Sequence, residues 1–449
     1  MQLNFKRLFL FSFLTFQLVS AQNTPDSTRV LNSDLKPAKV KTGYNFGALP
    51  AIGYNSDIGF RYGILGTIYD YGDGSNYPNY EQSLFLEWSR TTKGNGINRA
   101  TFDTRTLIPD TRMIADLNYT TERALDFFGF NGYQAYYNPN FTADGQDDYV
   151  SRMYYAHARK VLRVTVDLHG ISEQRKLNWL GGVGFFNTRI ATVDVAGLNK
   201  GKIENLLPTD AKLLYDNYVD WKVIPQSEAG GGNILYLKAG GVYDTRDKET
   251  NPNRGLWTEA ALLGATGIGN TKTSYLRALI SHRQYIPLYR NRLTLAYRLS
   301  YQTTLAGKMP FYMLPYAMDS YSIVDGIGSN KTVRGVLRNR IAGEGMAFAN
   351  IELRSRLVDF RLINQNFYIG LIGFMDGGMV TKKYSFDETQ IPANEFYAFN
   401  YNREKPHLSA GLGLRIAMNE NFVVAVDYGK ALNKQDGTSG LYIGLGYLF

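Results

Sequence analysis

The chain has 449 residues, 44% hydrophobic and 14% aromatic, with 33 Tyr, 45 Gly and no Cys, a β-rich mix large enough for one big barrel or two ordinary domains. Without Cys, disulfides, thiolate metal sites and cysteine nucleophiles are excluded together. The formal net charge of +9 is modest for this length, and the basic residues alternate with apolar ones in strand-like runs, which argues against nucleic acid as a partner.

Residues 1–21 read as a signal peptide: Lys6 and Arg7 precede an apolar run from Leu8 to Val19, and Val19-Ser20-Ala21 suits cleavage after Ala21. That run falls short of the roughly 20 residues that span a bilayer, so a signal anchor is the weaker reading. Residues 22–41 are polar and aperiodic, which predicts a flexible periplasmic leader. No later stretch approaches 18 consecutive apolar residues, which leaves a soluble secreted protein or a membrane barrel.

From residue 42 onward, sixteen segments alternate with period two, at about 42–53, 57–71, 80–91, 96–107, 111–122, 150–170, 177–190, 233–246, 255–265, 273–287, 291–303, 347–359, 366–379, 406–418, 421–430 and 439–449. In AFANIELRSRLV, Asn350, Glu352, Arg354 and Arg356 oppose Ala349, Ile351 and Leu353. A soluble sandwich would turn the apolar face to a core, and a membrane barrel would turn it to lipid. Connection lengths separate the two. Even-numbered connections are short, as at Pro109-Asp110, Ser172 to Lys176, Arg290 and Asn419-Glu420, whereas several odd-numbered ones are long, at about 123–149, 191–232, 304–346 and 380–405. The expected fold is therefore all-β, a sixteen-stranded antiparallel transmembrane barrel of residues 42–449. It would sit in a bacterial outer membrane, in contact with its lipid, with short turns and both termini periplasmic.

The chain ends GLYIGLGYLF, with Leu441, Ile443, Leu445, Tyr447 and Phe449 on one face. Tyr447 and Phe449 are expected in an interfacial girdle, as the C-terminal strand signal of an outer-membrane barrel. The first strand, with Gly43, Gly47, Pro50 and Gly53, must pair with the last, with Gly440, Gly444 and Gly446. Proline lacks a ladder donor and glycine weakens a strand, so this seam is expected to be weak.

Three stretches carry a family resemblance: GGVYDTRDKETNPNRGLW (240–257), KTVRGV followed by NRIAGEGMAFANIELR (331–354), and FMDGG (374–378). In order and approximate spacing they resemble three motifs of the BamA-type outer-membrane assembly-factor superfamily, also called the bacterial surface antigen family. These are its YDTRD segment, its VRGF or VRGY loop with the strand that follows, and its F.D.G strand. The resemblance implies that the sixth outer loop folds into the lumen, where Arg334 meets Glu352 and Asp376, with Gly335 allowing a tight turn. It marks Tyr243, Asp244, Arg246, Asp247, Asn251, Pro252, Arg254 and Gly255 as a barrel motif, and the seam at Gly47, Pro50, Gly444 and Gly446 as a lateral gate. It also implies unfolded outer-membrane or secreted polypeptides and an assembly complex as partners. Two departures stand out. Val336 replaces the usual aromatic residue, and a leader of this length cannot form the periplasmic polypeptide-transport-associated domains of most relatives, so the chain resembles a barrel-only member.

Parity within the strands points the same way, since Glu352 and Arg354 share the polar face and Asp376 shares parity with Phe374 and Gly378. Asp244 and Arg246 read as a lumenal ion-pair ladder, residues 251–255 as a turn, and Lys331, Arg338 and Arg340 as solvated. His157, His169, His282 and His407 fall on different strands without metal-ligand spacing, and no G-x-S-x-G, Walker or dinucleotide motif occurs. No cofactor and no enzyme activity are expected. DGQDD (144–148) reads as a solvated loop in preference to a weak calcium site. The leading expectation is an outer-membrane biogenesis factor that assists insertion or translocation of polypeptides through the seam. The alternatives are a plugged or gated channel with a basic lumen (Lys238, Arg292, Arg298, Arg354, Arg356, Arg415), and a surface adhesion or docking protein using its long loops.

Overall fold

The computed structural model describes residues 40–449 apart from 78, 172–175, 250, 291, 321, 363–364, 401–402 and 419–421. The expected signal peptide, and the expected leader up to residue 39, lie outside the described residues. Alternating residues leave only two ways to satisfy both faces of a strand, and here the ring closes on itself. The strands are β1 (Tyr44–Pro50 and Gly53–Asn55), β2 (Gly59–Asp70), β3 (Gln82–Thr91), β4 (Gly96–Ile108), β5 (Thr111–Asp126), β6 (Ala156–Gly170), β7 (Leu177–Ala191) and β8 (Gly231–Asp244). They continue as β9 (Gly255–Gly267), β10 (Ser274–Tyr289), β11 (Leu293–Gly307), β12 (Gly345–Leu362), β13 (Gln365–Lys382), β14 (His407–Met418), β15 (Phe422–Ala431) and β16 (Ser439–Leu445). Each pairs antiparallel with the next, and β16 returns to β1.

Burial follows the period. Along β12, Met346, Phe348, Asn350, Glu352 and Arg354 are buried, while Ile351 and Leu353 are exposed. Charges thus face inward and large apolar groups outward, the inverse of a soluble sandwich and the pattern of a barrel solvated by lipid. Exposed Leu86, Leu117, Leu237 and Leu412 continue that outer band around the ring.

Four long loops, 127–155, 192–230, 308–344 and 383–406, gather at one rim. Their aromatic side chains, among them Phe127, Phe130, Tyr218, Phe311, Tyr384 and Phe399, form one buried cluster. The Phe130 and Tyr384 rings are 4.7 Å apart. This dome sets a strand boundary. The sixth strand, expected from about residue 150, begins at Ala156, because Tyr154 and Tyr155 belong to the dome.

The last strand also differs from the expectation. It ends at Leu445, and Gly446, at φ 83°, turns the chain inward. Tyr447 and Phe449 therefore do not occupy a lipid-facing girdle. Phe449 lies under the guanidiniums of Arg298 and Arg354, at 5.1 and 4.9 Å, and Arg354 Nη2 donates to Phe449 O at 3.0 Å. Cation–π attraction and that hydrogen bond offer the tail more inside the lumen than a girdle position would.

The seam is short. Only Asn55–Tyr442 and Tyr54–Ile443 pair across it, supported by Ser56 N donating to Leu441 O at 3.1 Å. The segment Tyr44–Pro50 is laddered to β2 and not to β16. By contrast, β12 and β13 pair from Gly345–Lys382 to Leu362–Gln365.

Outward-facing Ile351 tests the lipid-solvated face directly. Ile351→Arg should lower unfolding stability in lipid vesicles by about 2–4 kcal/mol if its position is deep in the hydrocarbon; unchanged urea denaturation would contradict this orientation of β12.

Candidate functional site in the barrel lumen

Loop 308–344 leaves the dome, descends along the inner wall and delivers Arg334 to β12, β13 and β15, where it is fully buried. Asp376 on β13 accepts from Arg334 Nε at 2.8 Å and from Nη2 at 3.0 Å, a bidentate fork, and also from the Arg334 backbone N at 3.1 Å. Arg334 Nη1 stands 2.8 Å from Glu352 Oε1 and 3.4 Å from Asp427 Oδ2. The guanidinium plane also covers the Phe374 ring, at 3.5 Å. Burial alone would lower the guanidinium pKa. Glu352 and Asp376 outweigh it and hold the pKa above its ordinary value, so the charge is retained.

The neighbouring pairs complete the balance. Arg354 Nε donates to Glu352 Oε2 at 2.8 Å, and Arg415 engages Asp427 through both terminal nitrogens, at 2.7 and 3.0 Å. Arg334, Arg354 and Arg415 thus offset Glu352, Asp376 and Asp427. Desolvating such a group is tolerable only when charge and hydrogen bonds are met together.

Gly335 makes the approach possible. It sits at φ 88°, a region costly for other residues, and a Cβ there would fall 2.5 Å from the backbone carbon of Gly429 on β15. Gly429 is equally constrained, since its own Cβ would fall 2.7 Å from Arg334 O. Two facing glycines let loop and wall meet backbone to backbone. Gly335 N also donates to Tyr442 OH at 2.9 Å, which reaches the seam strand β16. Val336 is buried with Ile327, Val333, Ile341 and Phe348, so aliphatic packing fills its side of the loop.

The 240–257 motif is a second, separate cluster at the short-turn rim. Asp244 accepts from Arg246 through both carboxylate oxygens at 3.0 Å, and Arg246 covers Trp257 at 4.4 Å. Asp247 Oδ1 accepts from the backbone N of Asn253 and Arg254, at 2.9 and 3.2 Å, and Gly255 at φ 99° leads into β9. Pro252 is buried, while Tyr243 faces outward and Arg254 is exposed. The turn reaches across the barrel, where Asn251 Nδ2 donates to Tyr368 OH at 3.0 Å and Tyr368 bonds Tyr447 OH at 2.9 Å.

The proposed seam residues sit near the join without bridging it. Gly47 and Pro50 pair with Thr67 and Ile64 of β2, Gly444 pairs with Ala425 of β15, and Gly446 N donates to Val423 O. Strand ends, and not ladder defects, limit the contact.

Several important residues carried little sequence signal. Arg340, read as solvated, is buried and donates to the carbonyls of Gln435, Gly132 and Ala135 at 2.7, 2.8 and 2.9 Å. Arg338 pairs with Glu122 at 2.7 Å. His407 stacks on Tyr133 at 3.9 Å and shares a 2.5 Å hydrogen bond with Asp436, which also accepts from Tyr133 OH. Of the basic lumen residues, Lys238 meets Asp167 at 2.9 Å and Arg298 donates to Asn350 at 2.7 and 2.9 Å. Arg292 lies instead at the rim, beside Asp359 at 3.0 Å. Among the described residues, no group of His, Asp and Glu is arranged to hold a metal.

Residues 110–449 match the family model described as the Omp85 superfamily domain. The fold is similar to that of BamA from Haemophilus ducreyi lacking POTRA domains 1–3, with 17% identity, a TM-score of 0.52, and coverage of 91% of this chain and 71% of that one. It is also similar to CdiB from Escherichia coli, with 10% identity, a TM-score of 0.55, and coverage of 91% and 64%. No curated protein sequence matches the chain.

Arg334→Ala should cost about 3–5 kcal/mol, because it strands buried carboxylates. Arg334→Lys should lose less, keeping the charge but not the bidentate fork. Urea unfolding in detergent micelles measures both, and an Arg334→Ala midpoint equal to that of the parent would contradict the pairing.

Proposed function

The chain belongs to the Omp85 superfamily, and from that premise we propose that it assists insertion or translocation of polypeptides at the outer membrane through the β1–β16 seam. In this reading the short turns and both termini are periplasmic. The observation that carries it is the seam, where two residue pairs join β1 to β16 while Tyr44–Pro50 is laddered along one edge. A strand edge without a ladder partner can accept an extended segment by main-chain hydrogen bonding. A cavity of about 430 Å³ lies against that edge, lined by Leu49, Pro50, Ile443 and Leu445 among others.

The remaining parts have supporting roles. Arg334 holds the loop on the wall beside the seam, and Gly335 ties it to Tyr442 of β16, so the loop steadies the last strand while the lumen stays occupied. The 240–257 turn and the C-terminal tail cross the opposite end of the lumen. Insertion needs no covalent step in this scheme; the barrel supplies a strand edge beside lipid. Its partners in this reading are unfolded outer-membrane or secreted polypeptides and an assembly complex. An anion channel is the weaker reading, because Lys238, Arg298, Arg354 and Arg415 are engaged by carboxylates or amides.

Depletion followed by outer-membrane proteomics should show broad loss of barrel proteins; an unchanged proteome would overturn the proposal. Tyr54→Cys with Ile443→Cys places two thiols at directly paired positions of a Cys-free chain. The oxidised pair should fail to complement a deletion and recover on reduction, whereas full complementation by the locked protein would remove the seam from the mechanism. Exposed Asp144 in loop 127–155 reports orientation: Asp144→Cys should react with a membrane-impermeant maleimide on intact cells, and labelling only after lysis would reverse the assignment.

A further inference from the structure

On the outward face of β3 to β7, the register sets Arg90, Gly96, Thr121, Lys160 and Arg189 directly across five neighbouring strands. Two positions along each strand toward the barrel middle lies the row Trp88, Asn98, Tyr119, Leu162 and Asn187. Beyond that comes Leu86, Ala100, Leu117, Val164 and Phe185. Passing from the middle toward the long-loop rim, the surface therefore changes from aliphatic to aromatic-containing to basic. That is the order of groups met on leaving hydrocarbon for a headgroup layer.

Arg123, two residues beyond Thr121, adds a fourth cation. Arg123, Lys160 and Arg189 are exposed and Arg90 is half-buried. None of the four pairs with a carboxylate among the described residues, in contrast to lumenal Arg334 and Arg415. Arg90 spends its donors on Ser89 O at 2.8 Å and Asn98 Oδ1 at 3.3 Å, and its guanidinium covers Trp88 at 4.8 Å.

Glycines make room for these cations. A Cβ on Gly96 would fall 3.3 Å from Arg90 Cδ and Cζ, and one on Gly94 would fall 2.8 Å from Arg123 Cδ. Both stems thus lie flat along one wall of a cleft of about 820 Å³, which is lined by all four cations and by Thr121 and Tyr62. Two carboxylates border it. Glu122 is buried and paired with Arg159 at 2.5 Å, and Asp194 Oδ1 accepts from Gly197 N at 2.9 Å.

We infer that this cleft binds a phosphorylated glycolipid of the leaflet at the long-loop rim, its phosphates on the cations and its acyl chains on Leu86, Leu117 and Val164. Charge selects the anion, since guanidinium forks match phosphate oxygens and none of the four cations is paired with Glu122 or Asp194. Position selects a lipid, because the basic row borders the apolar band. Spacing selects the headgroup. Arg90 and Arg189 are four strand intervals apart, about 19 Å at a strand spacing of roughly 4.8 Å, too far for one phosphate but suited to a sugar carrying two. Assignment of the leaflet rests on the orientation proposed above.

The test uses the full chain in nanodiscs of zwitterionic lipid, titrated with diphosphorylated lipid A, with its dephosphorylated form and with inorganic phosphate, and read by native mass spectrometry. Binding of the diphosphorylated form should weaken about tenfold or more in the combined variant Arg90→Gln, Lys160→Gln, Arg189→Gln. It should be largely kept in Arg90→Lys, Arg189→Lys, with heat-modifiable migration showing that both variants fold. Equal affinity of the Gln variant, equal affinity for the dephosphorylated lipid, or displacement by inorganic phosphate at comparable concentration would each overturn the inference. Maleimide labelling at Asp144→Cys separates the two claims: external labelling without phosphate-dependent binding removes the lipid site alone, and labelling only after lysis reverses the orientation and overturns the leaflet assignment.

Discussion

The Arg334–Asp376 fork is the contact on which the rest of the lumen depends. A guanidinium with no exposed surface inside a barrel costs heavily in desolvation, and that cost is met only because Asp376, Glu352 and Asp427 face it while Phe374 takes its plane. The demand propagates outward. Glu352 and Asp427 are shared with Arg354 and Arg415, so the inward faces of β12, β14 and β15 carry charges in compensating order. Gly335 and Gly429 must both be glycine for the loop to come close enough. Loop 308–344 is in turn fixed to the dome through Arg340, which reaches carbonyls on loops 127–155 and 432–438.

Against this rigid interior the seam is the contrasting element. Every other strand pair in the ring carries a longer ladder, and the two pairs between β1 and β16 end where Gly446 turns the chain toward Arg354 and Arg298. The aromatic tail that would have prolonged the last strand is drawn inside by cations. The short join and the charged lumen are therefore linked through Glu352, which faces the loop arginine and also pairs with Arg354, the residue that holds the tail. The same partition appears on the outer face. Lumenal Arg334, Arg354 and Arg415 are matched by carboxylates, whereas, among the described residues, outward-facing Arg90, Arg123, Lys160 and Arg189 are not.

Much of this was legible in the sequence, for identifiable reasons. Period-two alternation fixes which side chains share a face, so inward Glu352 and Asp376 and outward Ile351 follow from parity, and loop lengths sort the two rims. The identity of the partner for Arg334 came from family resemblance, since nothing local relates residue 334 to residue 376. Asp427 carries a usable signal, since it shares parity with Ala425 and Val423 on the strand beside Arg415. Arg340, His407 and the aromatic dome offered almost none, because their partners lie in loops remote in sequence and aperiodic in pattern. The tail failed for a different reason. The alternation of GLYIGLGYLF does continue to Phe449, but the positive φ at Gly446 turns the chain to Arg298 and Arg354 on other strands.

The central claim is a loop locked by Arg334 beside a seam that opens easily, and hydrogen–deuterium exchange of the full chain in lipid nanodiscs addresses both halves at once. The account predicts slow exchange for Val333 to Val336 and fast exchange for Tyr44 to Pro50 and Tyr442 to Gly446, under conditions where β12 and β13 remain protected. Slow exchange along β1 and β16 equal to that of β12 and β13, or rapid exchange at Arg334 and Gly335, would contradict it.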